Sequence, residues 1–140
     1  MTHAAAPALK IAALALRGDE LLMVRGGADR AAGEWALPSG RLHTGETMAE
    51  AVVRLVADET GYDDALCGPF MGWSELIDDE AISEHQVVMY FTAVVMDTDP
   101  VRPGTAGEVR WTPTWRAPEL TLVEGLAEFL ADQEIIDTVV

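Results

Sequence analysis

The chain has 140 residues, of which 49% are hydrophobic, so we expect one compact domain with a substantial core. Its 9 basic and 24 acidic side chains give a formal net charge of −15, which opposes binding to a nucleic acid polymer. A phosphate-bearing ligand is therefore expected to arrive with a metal ion. Cys67 is the single cysteine, which excludes an internal disulfide and favours a reducing, cytoplasmic location.

The N-terminal region is predicted to form a β-hairpin. Two apolar runs, residues 8–16 and 21–24, flank Gly18-Asp19, a dipeptide typical of tight hairpin turns. No basic segment precedes the first run, so it does not read as a secretory signal. No run reaches the roughly 20 apolar residues that a membrane span requires, so no membrane association is expected. The following loop is predicted to lead into a short strand near residues 35–38.

A helix is predicted between Thr47 and Gly61. Thr47 and Glu50 have the spacing of a capping box, and Gly61 supplies a left-handed stop. Helical periodicity predicts that the face meeting the sheet carries Ala49, Val52, Val53 and Val56.

The neighbouring sector of this helix carries two adjacent acids. Periodicity places Leu55 between Asp58 and Glu59. Two interpretations remain open at this point. The acids form a metal-binding face, or Leu55 widens an apolar stripe beside two solvated carboxylates.

Three strands and a helix are predicted in the rest of the chain. The strands are residues 66–77, 85–96 and 108–114, and the amphipathic helix is residues 120–133. Strands on both sides of one helix, followed by a terminal helix, indicate an α/β domain in which helices cover a mixed sheet.

Residues 40–61 contain a long spaced pattern. Its fixed positions are Gly40, Glu46, Arg54, Asp58, Glu59 and Gly61. This pattern resembles the signature of the Nudix hydrolases: glycine, five residues, glutamate, seven residues, arginine-glutamate, and then a glutamate pair before a glycine. The segments EWALPSG (34–40) and EVRWTPTWRAPEL (108–120) are also similar to that family. The resemblance implies one Nudix domain over residues 1–140, folded as an α/β/α sandwich with a mixed β-sheet.

The resemblance also implies a reaction. Nudix hydrolases cleave nucleoside diphosphate derivatives and use Mg²⁺ or Mn²⁺ held by the acids of the motif. Carried over to this chain, it makes Asp58 and Glu59 metal ligands and catalytic residues. It also makes Arg54 a partner of Glu46 in an ion pair that supports the site. Both metal ions prefer hard oxygen ligands, which carboxylates supply.

Two further roles are assigned around the motif. In some family members a later loop supplies the catalytic base, and Glu84, in residues 75–85, is the first candidate here. Gly40, Arg41 and His43 precede the helix and are candidates for substrate binding. The alternative for Glu84 is a solvated loop acid, and the alternative for His43 is an exposed turn residue.

Two functions follow from the departures from the motif. Asp58 replaces a glutamate, and Leu55 replaces the glutamate after Arg54 and offers no metal ligand. The first function is a metal-dependent hydrolase of a nucleoside diphosphate derivative or another organic diphosphate, slowed by the degenerate motif. The second is a Nudix-fold protein without hydrolase activity that binds a ligand or partner. The retained acids favour the first and Leu55 favours the second, while a homodimer is left open.

Overall fold

A computed structural model describes residues 6–27, 30–77 and 85–136. Within these residues there are seven strands, two α-helices and one 3₁₀ helix. The strands are β1 (Ala8–Arg17), β2 (Glu20–Arg25), β3 (Trp35–Ala36), β4 (Ser39–Arg41), β5 (Leu66–Ile77), β6 (His85–Val94) and β7 (Glu108–Pro113). The helices are α1 (Met48–Thr60), the 3₁₀ helix (Thr114–Glu119) and α2 (Leu126–Asp132).

The described strands form one mixed sheet. Its main order is β3-β2-β1-β6-β5, while β4 pairs with β1 and β7 pairs with β2. Strands β1 and β6 are parallel, and the other pairs are antiparallel. The predicted hairpin is present, because Arg17 pairs with Glu20 across the two-residue turn.

The sheet is covered by one α-helix on each face. Successive side chains of a strand point to opposite faces, so β1 contributes to two separate cores. Ala12 and Leu14 belong to the core that contains α2, whereas Ile11 and Ala13 belong to the core that contains α1. The expected α/β/α sandwich with a mixed sheet is therefore confirmed. In the part of the chain that the structure describes, no helix is both long and apolar enough to cross a membrane.

The structure corrects two boundaries. The short strand expected near residues 35–38 is split into β3 and β4, and β4 is only three residues long, too short to show an alternating pattern. The terminal helix expected over residues 120–133 begins only at Leu126, because Gly125 has a left-handed backbone with φ 85°. The 3₁₀ helix before it was not predicted.

The ends of α1 agree with the sequence. Thr47 and Glu50 form the capping box, and Gly61 adopts φ 85° in the left-handed region. Its buried face is rotated from the predicted one and consists of Ala51, Val52, Leu55, Val56, Glu59 and Thr60. Ala49 is exposed. Leu55 therefore belongs to the core and does not project into solvent between the two acids.

Candidate functional site

The C-terminal end of α1 is fixed by the loop that precedes β7. The Thr105 N–H donates to the Asp58 carbonyl at 2.8 Å, and the Ala106 N–H donates to the Glu59 carbonyl at 3.2 Å. These bonds satisfy helix-end carbonyls that have no partner within the helix. The backbone that carries both motif acids is consequently held in place.

The ion pair expected between Glu46 and Arg54 is present. Arg54 Nε lies 2.6 Å from Glu46 Oε2, and Arg54 Nη2 lies 3.0 Å from Glu46 Oε1. Arg54 also donates to the Arg41 carbonyl, and the His43 N–H donates to Glu46. The hydrogen bond from Arg54 lowers the pKa of Glu46 from its ordinary value of 4.5 to about 2. The pair therefore ties the turn before α1 to the helix.

Leu55 packs against the glycine that opens the motif. A Cβ atom placed on Gly40 would lie only 2.7 Å from Leu55 Cδ2. Leu55 is 5% exposed and lies in the same core as Ile11 and Val52. The missing side chain of Gly40 thus makes room for Leu55. This contact explains why periodicity alone placed Leu55 wrongly, since β4 was not predicted to lie across the helix at this point.

Glu59 is paired with an arginine that sequence reasoning did not identify. Arg30 Nη1 lies 2.6 Å from Glu59 Oε2, and Arg30 Nη2 lies 2.6 Å from Glu59 Oε1. The Ser39 N–H donates to Glu59 Oε1 at 2.8 Å. The side chains of Arg30 and Glu59 are 8% and 11% exposed. Both carboxylate oxygens are therefore engaged in a largely buried, two-point ion pair.

Asp58 points elsewhere. Its side chain is 59% exposed and lies 3.9 Å from Arg54 Nη1, on the neighbouring turn of the helix. Among the described residues, no group of three or more His, Cys, Asp or Glu side chains is placed to hold a metal ion. In this conformation the donor set does not fit Mg²⁺ or Mn²⁺, because Glu59 is occupied by Arg30 and Asp58 faces solvent.

Two cavities adjoin the motif, and the predicted substrate-binding residues do not all line the same one. The first cavity is about 250 Å³, and Arg30, Ser39 and Gly40 contribute to its lining. Apolar side chains also line it, and its other polar or charged side chains are Lys10, Glu34, Gln86, Tyr90 and Glu124. The second cavity is about 640 Å³ and includes Arg41 and His43 in its lining. Gly40 therefore faces a different space from the other two candidates.

The candidate general base cannot be placed. Glu84 lies outside the described residues, so its role stays a prediction from the sequence. Arg30 and Lys10 were missed for a different reason. Arg30 lies in a loop of small residues, and Lys10 lies within an apolar run, so neither belongs to a recognisable pattern. Both were brought to the first cavity by long-range pairing.

Comparison with known proteins identifies the family. The family model described as the NUDIX domain matches residues 6–133. The chain belongs to the Nudix family. This match covers the sheet and both helices, so the likeness extends well beyond the motif.

Curated relatives match a shorter segment of this Nudix protein. "Putative nudix hydrolase 1" of Caenorhabditis elegans is 47% identical over 55 residues, which is 36% of this chain and 15% of the relative. "8-oxo-dGDP phosphatase NUDT18" of Mus musculus is 43% identical over 51 residues, which is again 36% of this chain and 15% of the relative. The aligned segment thus spans a small part of each relative.

A solved structure agrees with the fold. The NUDIX hydrolase from Nitrosomonas europaea superposes with a TM-score of 0.79 at 20% sequence identity, covering 92% of this chain and 88% of that one. At this identity the likeness concerns the fold. The family generally uses divalent metal ions and acts on small-molecule diphosphates.

Proposed function

We propose that this Nudix protein hydrolyses a nucleoside diphosphate derivative or another organic diphosphate bound in the first cavity. The observation that carries the proposal is the position of Lys10 and Arg30, two cationic side chains that line one cavity of an acidic protein together with Glu34 and Glu124. Diphosphates are anionic and bind preferentially to lysine and arginine side chains. These two side chains therefore offer cationic donors to an anionic ligand in a protein whose net charge is −15.

The size of the cavity limits how much of the ligand it encloses. Its volume of about 250 Å³ is below the range of typical ligand sites, which span roughly 300–1,000 Å³. A diphosphate and one adjoining group fill such a space, and the remainder of a nucleotide extends outside it. Substrate selection would then depend on the group that enters the cavity.

Tyr90 supplies a polar contact for that group. Its ring stacks on Phe129 with centroids 3.6 Å apart, and its hydroxyl lies 3.2 Å from the Ser74 hydroxyl. Burial raises the pKa of Tyr90, so the phenol stays neutral and remains a hydrogen-bond donor at neutral pH. A rigid ring with one polar end discriminates ligands by shape and by hydrogen bonding.

Hydrolysis would add water across the diphosphate bridge. The water oxygen bonds to one phosphorus, the bridging oxygen leaves with the other phosphate, and the proton passes to a base. Glu84 stays our proposed base, and Asp58 and Glu59 stay our proposed ligands for Mg²⁺ or Mn²⁺. In the described conformation Glu59 does not have a free oxygen, so no metal-dependent step is derived from it.

A second function is favoured by a specific observation. Leu55 is part of the core and both Glu59 oxygens are engaged, so the motif lacks the open carboxylate face that hydrolysis requires. A Nudix-fold protein that binds a diphosphate without cleaving it fits these two facts. The two functions share the cavity and differ in whether product is released.

Lys10 allows binding and cleavage to be tested separately, because it is the single lysine in the chain. The protein would be incubated with nucleoside diphosphates, nucleoside diphosphate sugars and 8-oxo-dGDP, with and without Mg²⁺ or Mn²⁺. Released phosphate or nucleotide measures cleavage, and protection of Lys10 from acetylation, read by mass spectrometry, measures binding. Acetylation of the N-terminal amine is the internal control.

We expect one ligand class to protect Lys10 and to be cleaved. Protection without product would support the binding protein. If no diphosphate protects Lys10 at millimolar concentration, the first cavity is not the diphosphate site and both versions of the proposal fail. Neither result depends on the placement of Glu84.

A further inference from the structure

The Arg30 guanidinium is surrounded by acceptors from three segments of the chain. Besides both Glu59 oxygens, it donates to the Gly26 carbonyl at 2.9 Å and to the Ser39 hydroxyl at 3.4 Å. Arginine has five N–H donors in a fixed planar fork. The two terminal nitrogens of Arg30 make four hydrogen bonds here. The guanidinium is therefore surrounded by oxygen atoms, as a bound metal cation would be.

The position of Arg30 separates Glu59 from the first cavity. Arg30 and Ser39 line that cavity, and both donate to the Glu59 carboxylate behind them. The backbone approaches the pair closely, since a Cβ placed on Gly27 would lie 3.4 Å from Arg30 Nη1 and 3.9 Å from Glu59 Oε2. A ligand in the cavity thus meets the guanidinium before it meets the carboxylate.

The buried charges at this end of α1 balance without an added ion, and Asp58, which is 59% exposed, is not among them. Arg30 contributes one positive charge, Glu59 one negative charge, and Leu55 none. Taking a carboxylate out of water is costly unless an opposite charge and hydrogen bonds accompany it. Arg30 meets that requirement in the place where the family pattern implies a divalent metal.

We propose that Arg30 is the resident cation of Glu59, and that a divalent cation binds this carboxylate only after displacing the guanidinium. Arg30 therefore sets the metal affinity of the protein. The inference rests on the proposed function only in taking Glu59 as a carboxylate of the site. The family pattern implies a divalent metal at this position, whereas in this chain Arg30 occupies both oxygens of Glu59.

The competition has a measurable size. A ligand whose binding-competent state is only a fraction of the population loses affinity in proportion to that fraction. If Arg30 pairs with Glu59 for at least about nine-tenths of the time, removing the guanidinium raises Mn²⁺ affinity by about tenfold or more. Arg30→Gln keeps a polar side chain and removes the charge, so it is the first variant to measure.

Mn²⁺ alone serves as the probe, with no diphosphate present. Binding is followed by loss of the free Mn²⁺ signal in electron paramagnetic resonance and by the change in melting temperature. Arg102→Gln is the matched control, since it removes one positive charge from a side chain that is 56% exposed and 3.8 Å from Asp63. The double variant Arg30→Gln/Glu59→Gln measures weak binding to the other acidic side chains.

We expect Arg30→Gln to bind Mn²⁺ at least about tenfold more tightly than wild type, while Arg102→Gln stays within about twofold. The gain should disappear in the double variant.

Equal affinity in Arg30→Gln and wild type overturns the proposal, and so does a gain that survives removal of Glu59. If Arg30→Gln does not fold, Arg30→Met replaces it, because methionine keeps a long unbranched side chain and removes the charge. A folded Arg30→Met with wild-type Mn²⁺ affinity also overturns the proposal. Because no substrate is used, failure here is distinct from failure to find a cleaved diphosphate.

Discussion

Replacing Leu55 by glutamate restores the residue type of the family motif and tests whether this position lies in the core. Leu55 is 5% exposed and packs against Gly40. Burying a leucine stabilises a protein by about 1.5–3 kcal/mol, and much of this is lost with any polar replacement. A buried carboxylate adds a second cost, because its pKa rises above the unfolded value near 4.3.

The second cost has an upper limit at a given pH. A raised pKa makes the folded state less favourable only above the unfolded pKa, by up to about 1.4 kcal/mol for each pH unit. At pH 7 the group is 2.7 units above about 4.3, so the charge costs at most about 3.7 kcal/mol before the carboxyl takes up a proton instead. Below about pH 4 the charge cost vanishes, since the carboxyl is protonated in both states.

Leu55→Gln separates the two costs because it has the same shape without the charge. Urea denaturation of both variants at pH 4, 5.5 and 7 gives the free energy of unfolding. We expect the two variants to be equally destabilised at pH 4. As the pH rises, the free energy of unfolding of Leu55→Glu should decrease relative to that of Leu55→Gln. Equal stability at pH 7 would refute the reasoning, because it would mean that the new carboxylate reaches water or a positive charge.

Two further predictions concern the ends of α1. The hydrogen bond from Arg54 lowers the pKa of Glu46 to about 2, so this pair stabilises the protein fully above about pH 4.5 and loses its effect as the pH falls towards 2. Denaturation against pH should therefore show wild type and Arg54→Gln converging over that interval, whereas a constant gap would contradict the cause given for the shift. A Cβ on Gly104 would lie 1.9 Å from the Glu59 carbonyl oxygen, so Gly104→Ala is expected to destabilise by about 1–3 kcal/mol or more. Gly107→Ala is its control, with a nearest contact of 3.4 Å, and equal losses in the two variants would show that the loop does not close on the helix.

The fold could be predicted because its signals are local. The capping box of Thr47 and Glu50, the left-handed Gly61 and the Gly18-Asp19 turn each act within a few residues, so one stretch of sequence carries the whole signal. Strand β4 gave no such signal, since three residues cannot show an alternating pattern. Its absence from the prediction also hid the contact between Gly40 and Leu55, and with it the true buried face of α1.

The candidate site was predictable only where both partners belong to one motif. Glu46 and Arg54 are eight residues apart, and their ion pair followed from the family pattern. Arg30 and Glu59 are 29 residues apart, and the loop of Arg30 has no periodicity that points towards a helix end. A pair of this kind depends on where β2 and β4 bring the chain, which periodicity does not reveal.

Leu55 and Arg30 have linked consequences for the same carboxylate. A glutamate at position 55 would add negative charge beside Glu59, and one guanidinium would then leave a net negative charge among buried groups. Such a pair of acids needs a cation of higher charge, which a divalent metal supplies. With leucine at that position, Glu59 is neutralised by Arg30 alone through two contacts of 2.6 Å. The loss of the motif acid and the presence of the arginine therefore describe one electrostatic arrangement. In this arrangement Arg30 neutralises the buried Glu59 without a metal, and the guanidinium lies between Glu59 and the first cavity.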